Sequence, residues 1–122
     1  MTQSSTESSK DLARPELPEK LNGRITEQFL DSNRQRIPVT IQRYPGQAEG
    51  DRINLYSGGP DADVVVSTAI VTQTQSETTI HIDAIKLRKL APGTHAMFYD
   101  TTPKSGTPVR ESSWLLYQWL PK

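Results

Sequence analysis

The sequence predicts an all-β fold, a sandwich of two antiparallel sheets. Short segments in which apolar and polar residues alternate recur along the chain, as they do in Ile37–Arg43. Stretches rich in glycine and proline, such as Gly58-Gly59-Pro60-Asp61, separate these segments and favour tight turns. The spacing leaves no room for the helices of about ten residues or more that an α/β fold needs between its strands.

Each strand is predicted from its own alternation and from the turn residues that bound it. The predicted strands are Arg24–Phe29, Ile37–Arg43, Arg52–Tyr56, Val64–Thr72, Thr79–Ile85, Thr94–Asp100 and Val109–Leu120. In the run Ile37–Ser57, two alternating segments flank a bridge that contains Pro45, Gly46 and Gly50, so we expect these two strands to pair. The segment Ile85–Leu90 predicts at most one turn of helix.

About seven strands in about 100 residues match the size of an immunoglobulin-like sandwich. The chain has no cysteine, which excludes disulfides and thiolate metal sites and leaves burial to stabilise the core. The predicted core consists of Ile25, Phe29, Val39, Ile41, Ile53, Leu55, Val65, Ile70, Ile80, Ile82, Leu87, Leu90, Met97, Tyr99, Leu115 and Tyr117.

The first 20 residues differ in composition from the rest of the chain. They are polar, rich in serine and threonine, and interrupted by Pro15 and Pro18, so they offer little apolar surface to offset the entropy of ordering. We therefore expect a flexible, disordered tail or linker over residues 1–20 and one sandwich domain over residues 21–122.

Charge and hydropathy argue against several classes of partner. The 14 basic residues balance 14 acidic ones, so the chain as a whole does not attract nucleic acid or an anionic membrane. No apolar run is long enough for a membrane helix, and we expect no membrane span. The N-terminal sequence also lacks the apolar centre of a classical secretory signal.

Three motifs resemble the immunoglobulin-like repeat domains of large bacterial surface and secreted proteins. They are Val39-Thr40-Ile41, Tyr44-Pro45-Gly46, and the segment from Gly50 to Tyr56 that begins Gly-Asp. The resemblance spans Pro15 to Trp119. It implies a non-catalytic binding, adhesive or structural module that contacts a protein or a glycan, outside the cell or on its surface. The oligomeric state stays open.

Residues that could carry chemistry are few and scattered. The two histidines fall on different predicted strands, and His81, Asp83 and Asp100 are the best acid–base candidates for an enzyme, so we expect no catalytic site. A loop with Asp61 and Asp63 could offer oxygen ligands to calcium, but it lacks the full pattern of a calcium loop, and we expect no cofactor or metal.

Two modest basic clusters could bind phosphate or an acidic glycan. The first combines Arg34, Arg36 and Arg43, and the second combines Lys86, Arg88 and Lys89. In a chain of zero net charge we expect both clusters to be solvated surfaces.

Aromatic residues are the strongest candidates for contact with a partner. The C-terminal segment ESSWLLYQWLPK is apolar on both faces of its predicted strand, which is typical of a strand between two layers or at an interface. The predicted partner-binding residues are Tyr44, Tyr56, Trp114 and Trp119. An alternative that the sequence leaves open is a small secreted effector or an enzyme accessory domain.

Overall fold

The computed structural model describes residues 12–58, 64–74 and 76–121, and within them the chain is predominantly β. The strands are β1 (Arg24–Thr26), β2 (Arg36–Gln42), β3 (Arg52–Gly58), β4 (Val64–Ile70), β5 (Glu77–Asp83), β6 (Gly93–Thr102), β7 (Arg110–Glu111) and β8 (Leu115–Leu120). The helices are a 3-10 turn (Glu19–Leu21), α1 (Glu27–Ser32) and α2 (Ala84–Leu87).

The described strands form two sheets of unequal size. The large sheet has the order β1-β8-β6-β3-β4, with β7 paired to one end of β6. The small sheet consists of β2 and β5. All pairs are antiparallel except β1 and β8, in which Arg24 lies opposite Gln118 in a parallel register. The prediction of purely antiparallel sheets is therefore wrong at this edge, where almost the whole chain serves as the long connection that a parallel pair needs.

The strands β2 and β3 do not pair with each other, which corrects the prediction for the run Ile37–Ser57. Strand β2 pairs with β5, whereas β3 pairs with β4 and β6. The bridge between them is longer than a tight hairpin turn and crosses from one sheet to the other. At its end Gly50 has a φ of +94°, and a Cβ on this residue would lie 3.0 Å from Cδ of Lys104. The side chain of Lys104 can move to relieve this contact, but the positive φ is a backbone conformation that favours glycine.

One hydrophobic core receives side chains from both sheets. Strands β2 and β5 contribute alternating residues such as Val39 and Ile82, and the large sheet contributes Leu55, Tyr99 and Trp119, all at most 3% exposed. Most of the predicted core is confirmed. Phe29, Leu90 and Leu115 are only partly buried, and the side chain of Val65 lies outside the described residues.

Ile70 was predicted in the core and is 50% exposed. The register between β3 and β4 shifts after Leu55, because this residue pairs with Ser67 while Tyr56 pairs with Val65. The extra residue is Val66, which is buried, and such a bulge changes which residues of a strand face inward. Ile70 therefore points outward and Val71 points inward.

The first and last predicted strands differ most from their expected bounds, and β4 ends two residues early at Ile70. The first ends at Thr26, whose hydroxyl Oγ1 accepts a hydrogen bond of 3.1 Å from the backbone N–H of Phe29 and so caps α1. The last predicted strand is divided into β7 and β8, and the break follows a backbone hydrogen bond from Ser112 to Tyr99. The predicted single turn of helix is confirmed as α2.

The described part of the predicted tail packs against the fold. Leu12 is 1% exposed within the core, and its carbonyl accepts a hydrogen bond from the backbone N–H of Ser113. Glu16 and Thr40 exchange two backbone hydrogen bonds of 2.9 Å, which cover the outer edge of β2. Residues 12–20 therefore belong to the folded unit, and the expectation of a separate tail is wrong for them. Residues 1–11 lie outside the described residues.

We expect Leu12→Ala to lower the free energy of unfolding by about 2–4 kcal/mol, because it removes a fully buried side chain and leaves a cavity. Leu116→Ala is the matched control, since it removes the same atoms from a side chain that is 66% exposed. Urea unfolding followed by circular dichroism measures both. Equal stability of the two variants would contradict the placement of Leu12 in the core.

Candidate functional site

The outer face of the large sheet carries a stack of three aromatic rings. Tyr56 on β3 lies opposite Phe98 on β6, and their ring centroids are 4.8 Å apart with planes 7° from parallel. Phe98 in turn stacks on Trp114, at 5.6 Å and 14°. Because the first separation equals the usual spacing of neighbouring strands, the stack runs across the strands as one row. We call these three residues the aromatic row.

A row of smaller side chains adjoins the aromatic row. Gly58 pairs with Ala96, and Ala96 pairs with Leu116, so the three residues run across β3, β6 and β8. Leu116 is 66% exposed. We call these residues the small row, and the two rows together the aromatic face.

Apolar side chains are exposed on this side of the large sheet more than elsewhere in the described chain. The exposed large hydrophobic residues are Ile70, Ile85, Val109, Trp114 and Leu116. Trp114 and Leu116 belong to the aromatic face, and Ile70 points outward from the same sheet. Ile70 pairs with Arg52 at the other end of the sheet, so the exposed apolar surface at the aromatic face consists of Trp114 and Leu116 beside the buried Phe98 and Ala96. Exposed apolar residues that lie near each other are typical of an interaction surface, whereas single ones are ordinary.

Polar residues beyond the aromatic row form a ladder across three strands. Thr68 Oγ1 donates to Asn54 Oδ1 at 3.1 Å, and Asn54 Nδ2 donates to Asp100 Oδ1 at 3.0 Å. The hydroxyl of Tyr56 donates to Asp100 Oδ2 at 2.9 Å. Burial and this bond to Asp100 raise the pKa of Tyr56 from 10.0 to about 12. The ladder therefore fixes the orientation of the ring at one end of the aromatic row.

The structure separates the four predicted partner-binding residues into two groups. Tyr56 and Trp114 belong to the aromatic row. Tyr44 is 5% exposed and Trp119 is 1% exposed, so neither presents a ring to solvent, which corrects the expectation that they contact a partner. Phe98, the central ring, was missed, although it stands between the predicted core residues Met97 and Tyr99. Because side chains alternate along a strand, Phe98 between two inward residues is predicted to point outward. A bulky apolar residue at an outward position is the signal in the sequence that could have identified it.

Tyr44 stabilises the bridge between the two sheets. Its hydroxyl donates a hydrogen bond of 2.7 Å to Asp51 Oδ2, which also accepts from the backbone N–H of Ala48 at 3.1 Å. Burial, together with the adjacent carboxylate, raises the pKa of Tyr44. The guanidinium of Arg110 lies 6.0 Å from the centre of the ring and donates to the carbonyl of Pro45. These contacts give Tyr44 a structural role.

The acid–base candidates do not form a common site. His81 and Asp83 lie on β5 in the small sheet, whereas Asp100 lies on β6 and accepts bonds from Asn54 and Tyr56. His95 is 7% exposed, and its Nε2–H donates to the carbonyl of Ala91 at 2.6 Å.

Next to His95, a buried hydrogen bond of 2.6 Å joins the hydroxyls of Ser57 and Tyr117. Burial raises the pKa of Tyr117, and the chain packs over this cluster.

The fold spreads out the first basic cluster and pairs one member of the second. Arg36 begins β2 and Arg43 follows its other end, so the first cluster is spread along the length of a strand. Arg88 is paired, because its guanidinium donates to both carboxylate oxygens of Glu27 and to Gln35 Oε1. The bond to Glu27 raises the pKa of Arg88. This contact connects α1 and α2 at the surface.

Among the described residues, no three histidine or acidic side chains come together as a group that could hold a metal ion. Asp61 and Asp63 lie outside the described residues, so the expectation that their loop holds no calcium stays a prediction. In the same described part of the chain, none of the helices has the length and apolar character needed to cross a membrane. No protein-family model, curated protein or solved structure matches the chain. The resemblance to immunoglobulin-like repeats therefore stays a prediction.

Raised pKa values of Tyr44, Tyr56 and Tyr117 predict a loss of stability at alkaline pH. A tyrosine whose pKa is higher in the folded state stabilises the fold below the unfolded value of about 10 and loses this contribution as the pH rises through the folded value. For Tyr56 the loss falls between pH 10 and about 12. We expect the free energy of unfolding to decrease over this range, and to decrease less in Tyr56→Phe.

Urea unfolding at several pH values measures this loss, and tyrosinate absorbance reports ionisation directly. The matched absorbance control is the urea-unfolded chain, whose tyrosines should ionise about pH 10. Identical absorbance titrations of the folded and unfolded chains would contradict the burial and hydrogen bonds that raise the pKa values of these tyrosines.

Proposed function

We propose that the chain is a non-catalytic binding module, an immunoglobulin-like sandwich that contacts a protein partner through its aromatic face. The observation that carries this proposal is the row Tyr56–Phe98–Trp114 on the outward side of the large sheet. Tryptophan and tyrosine dominate the energetics of protein interfaces, because they bury a large area with few rotatable bonds. By resemblance, we place the module at the cell surface or outside the cell.

The arrangement of the rings favours a protein over a glycan. Stacking on a sugar requires a free ring face. Phe98 has Tyr56 on one side and Trp114 on the other, and it is only 9% exposed. The aromatic face therefore offers a ridge with the exposed side chains of Trp114 and Leu116 beside it, which suits the interdigitating side chains of a protein surface.

The arrangement of polar groups favours binding over catalysis. The carboxylate of Asp100 accepts bonds from Asn54 and Tyr56, and the hydroxyls of Ser57 and Tyr117 are buried against each other. General acid–base chemistry needs groups that converge on a substrate within hydrogen-bond reach. Asp100 instead holds the ring of Tyr56 in place, and the pair of Ser57 and Tyr117 lies on the core side of the sheet.

The test places a photoreactive benzoylphenylalanine at Leu116 in the organism that encodes the chain. We expect a covalent adduct with a protein, and we expect Trp114→Ala to abolish it, because this change removes the adjacent exposed ring. The matched control carries the same photoreactive residue at Ile85, which is 67% exposed and lies on α2, away from the aromatic face.

Adducts formed equally from both positions, or adducts that survive Trp114→Ala, would contradict the proposal. A glycan array probed with the labelled protein tests the other class of ligand. Suppose that the protein binds an oligosaccharide, that Trp114→Ala abolishes this binding, and that no protein adduct forms. This result would show that the ligand of the aromatic face is a glycan.

A further inference from the structure

A small cavity lies where the bridge between β2 and β3 meets the end of β6. It has a volume of about 130 Å³, and its walls include Tyr44, Asp51, Thr101, Pro103, Pro108 and Arg110. Thr101 is buried on the inward side of β6, whereas Phe98 stands on the outward side. The cavity is therefore separate from the aromatic face.

Thr101 brings an unused hydroxyl to the wall of this cavity. The residue is 3% exposed, and its Oγ1 makes no hydrogen bond to another residue in the described part of the chain. The oxygen is still accessible, because it is not among the fully enclosed polar atoms and Thr101 lines the cavity. Buried hydroxyls normally have a partner, so this group is available to a bound molecule.

Asp51 adds a second acceptor. It is 5% exposed, and the hydroxyl of Tyr44 and the backbone N–H of Ala48 both donate to Oδ2. Among the described residues, no group donates to Oδ1, and the residue lines the cavity. A carboxylate oxygen only accepts, so a molecule beside Oδ1 must supply an N–H or O–H group.

Arg110 brings a guanidinium group to the same cavity. Its Nη1 donates to the carbonyl of Pro45 at 2.6 Å, and the group lies 6.0 Å from the centre of the Tyr44 ring. Within the residues that the structure describes, Arg110 and Asp51 form no ion pair with each other. Arg110 repels a cation in the cavity and Asp51 repels an anion. The two side chains together favour a neutral group that carries both a donor and an acceptor.

The volume of the cavity restricts the size of that group. A water molecule occupies about 30 Å³ of the liquid, so about 130 Å³ corresponds to about four non-hydrogen atoms. A primary carboxamide with its adjoining carbon has this size. Its nitrogen carries two donors for two acceptors, Asp51 Oδ1 and Thr101 Oγ1, and its oxygen accepts from Arg110. Pro103 and Pro108 offer apolar contacts to the carbon.

We propose that this cavity binds a primary carboxamide, which belongs either to a small amide molecule or to the side chain of an asparagine or glutamine. Asp51 and Thr101 accept from its nitrogen, and Arg110 donates to its oxygen. The site goes beyond the proposed function, because it uses none of the residues of the aromatic face.

NMR of the purified, nitrogen-15-labelled chain, titrated with acetamide to about 100 mM, tests the proposal. We expect the backbone amide signals of Asp51, Thr101 and Arg110 to shift and to saturate. The expected dissociation constant is about 1–10 mM, because so small a ligand makes few contacts.

Three probes close to acetamide in size test the chemistry of the ligand on the unaltered chain. Acetate carries a negative charge, acetamidinium carries a positive charge, and ethylene glycol is neutral but has no amide. We expect each of them to bind at least about tenfold more weakly than acetamide at the same ionic strength.

Thr101→Val removes the hydroxyl and nearly keeps the shape of the side chain. We expect it to weaken the binding of acetamide about tenfold, because one acceptor is lost. Thr102→Val is the matched control, since the next residue on β6 points to the other face of the sheet. Circular dichroism verifies that both variants fold, and the probes on the unaltered chain decide the question if Thr101→Val does not.

Asparagine and glutamine with blocked termini distinguish the two sources of the carboxamide. Binding of either that is tighter than that of acetamide assigns the site to a side chain, and weaker binding assigns it to a small amide. Acetamide that causes no saturable shifts would overturn the inference, as would equal binding of acetate, acetamidinium or ethylene glycol. Equal weakening by the two threonine variants would also overturn it. None of these outcomes affects the adducts expected from position 116.

Discussion

The backbone hydrogen bonds of strand β6 position both the core residues and the surface residues of the large sheet. Strand β6 pairs with β3 along one edge and with β8 and β7 along the other. Its inward residues Met97 and Tyr99 pack in the core beneath the small sheet. Its outward residues Ala96 and Phe98 stand at the centre of the aromatic face. Because the side chains of a strand alternate, fixing one register fixes both surfaces.

The pairing of β6 with β3 also explains why the rings of the aromatic row are held in fixed positions. Phe98 is held by rings on both sides, and the ring of Tyr56 is anchored through its hydroxyl to Asp100 on the neighbouring strand. A side chain fixed in this way loses little conformational freedom on binding, which lowers the entropic cost of an interface. Binding through the aromatic face, as proposed, would therefore order few additional side chains.

The connection between the sheets depends on a second, local arrangement. Asp51 accepts bonds from Tyr44 and from the backbone of Ala48, and the backbone of Asp51 also accepts a hydrogen bond from Val71. These bonds satisfy polar groups that the crossing would otherwise bury unpaired. The Tyr44-Pro45-Gly46 turn, which suggested an exposed binding residue in the sequence, is thus explained by the packing of the crossing.

The positions of most strands could be predicted from the sequence, because alternation and turn residues are local signals. Strands β2, β3, β5 and β6 follow their predicted segments closely. Tertiary structure decided the pairing of strands, the bulge that turns Ile70 outward, and the burial of Tyr44 and Trp119, since these depend on neighbours distant in sequence. Tyr56 and Trp114 could be proposed as contact residues from their chemistry. That Phe98 stacks between them could be seen only once the pairing of the strands was known.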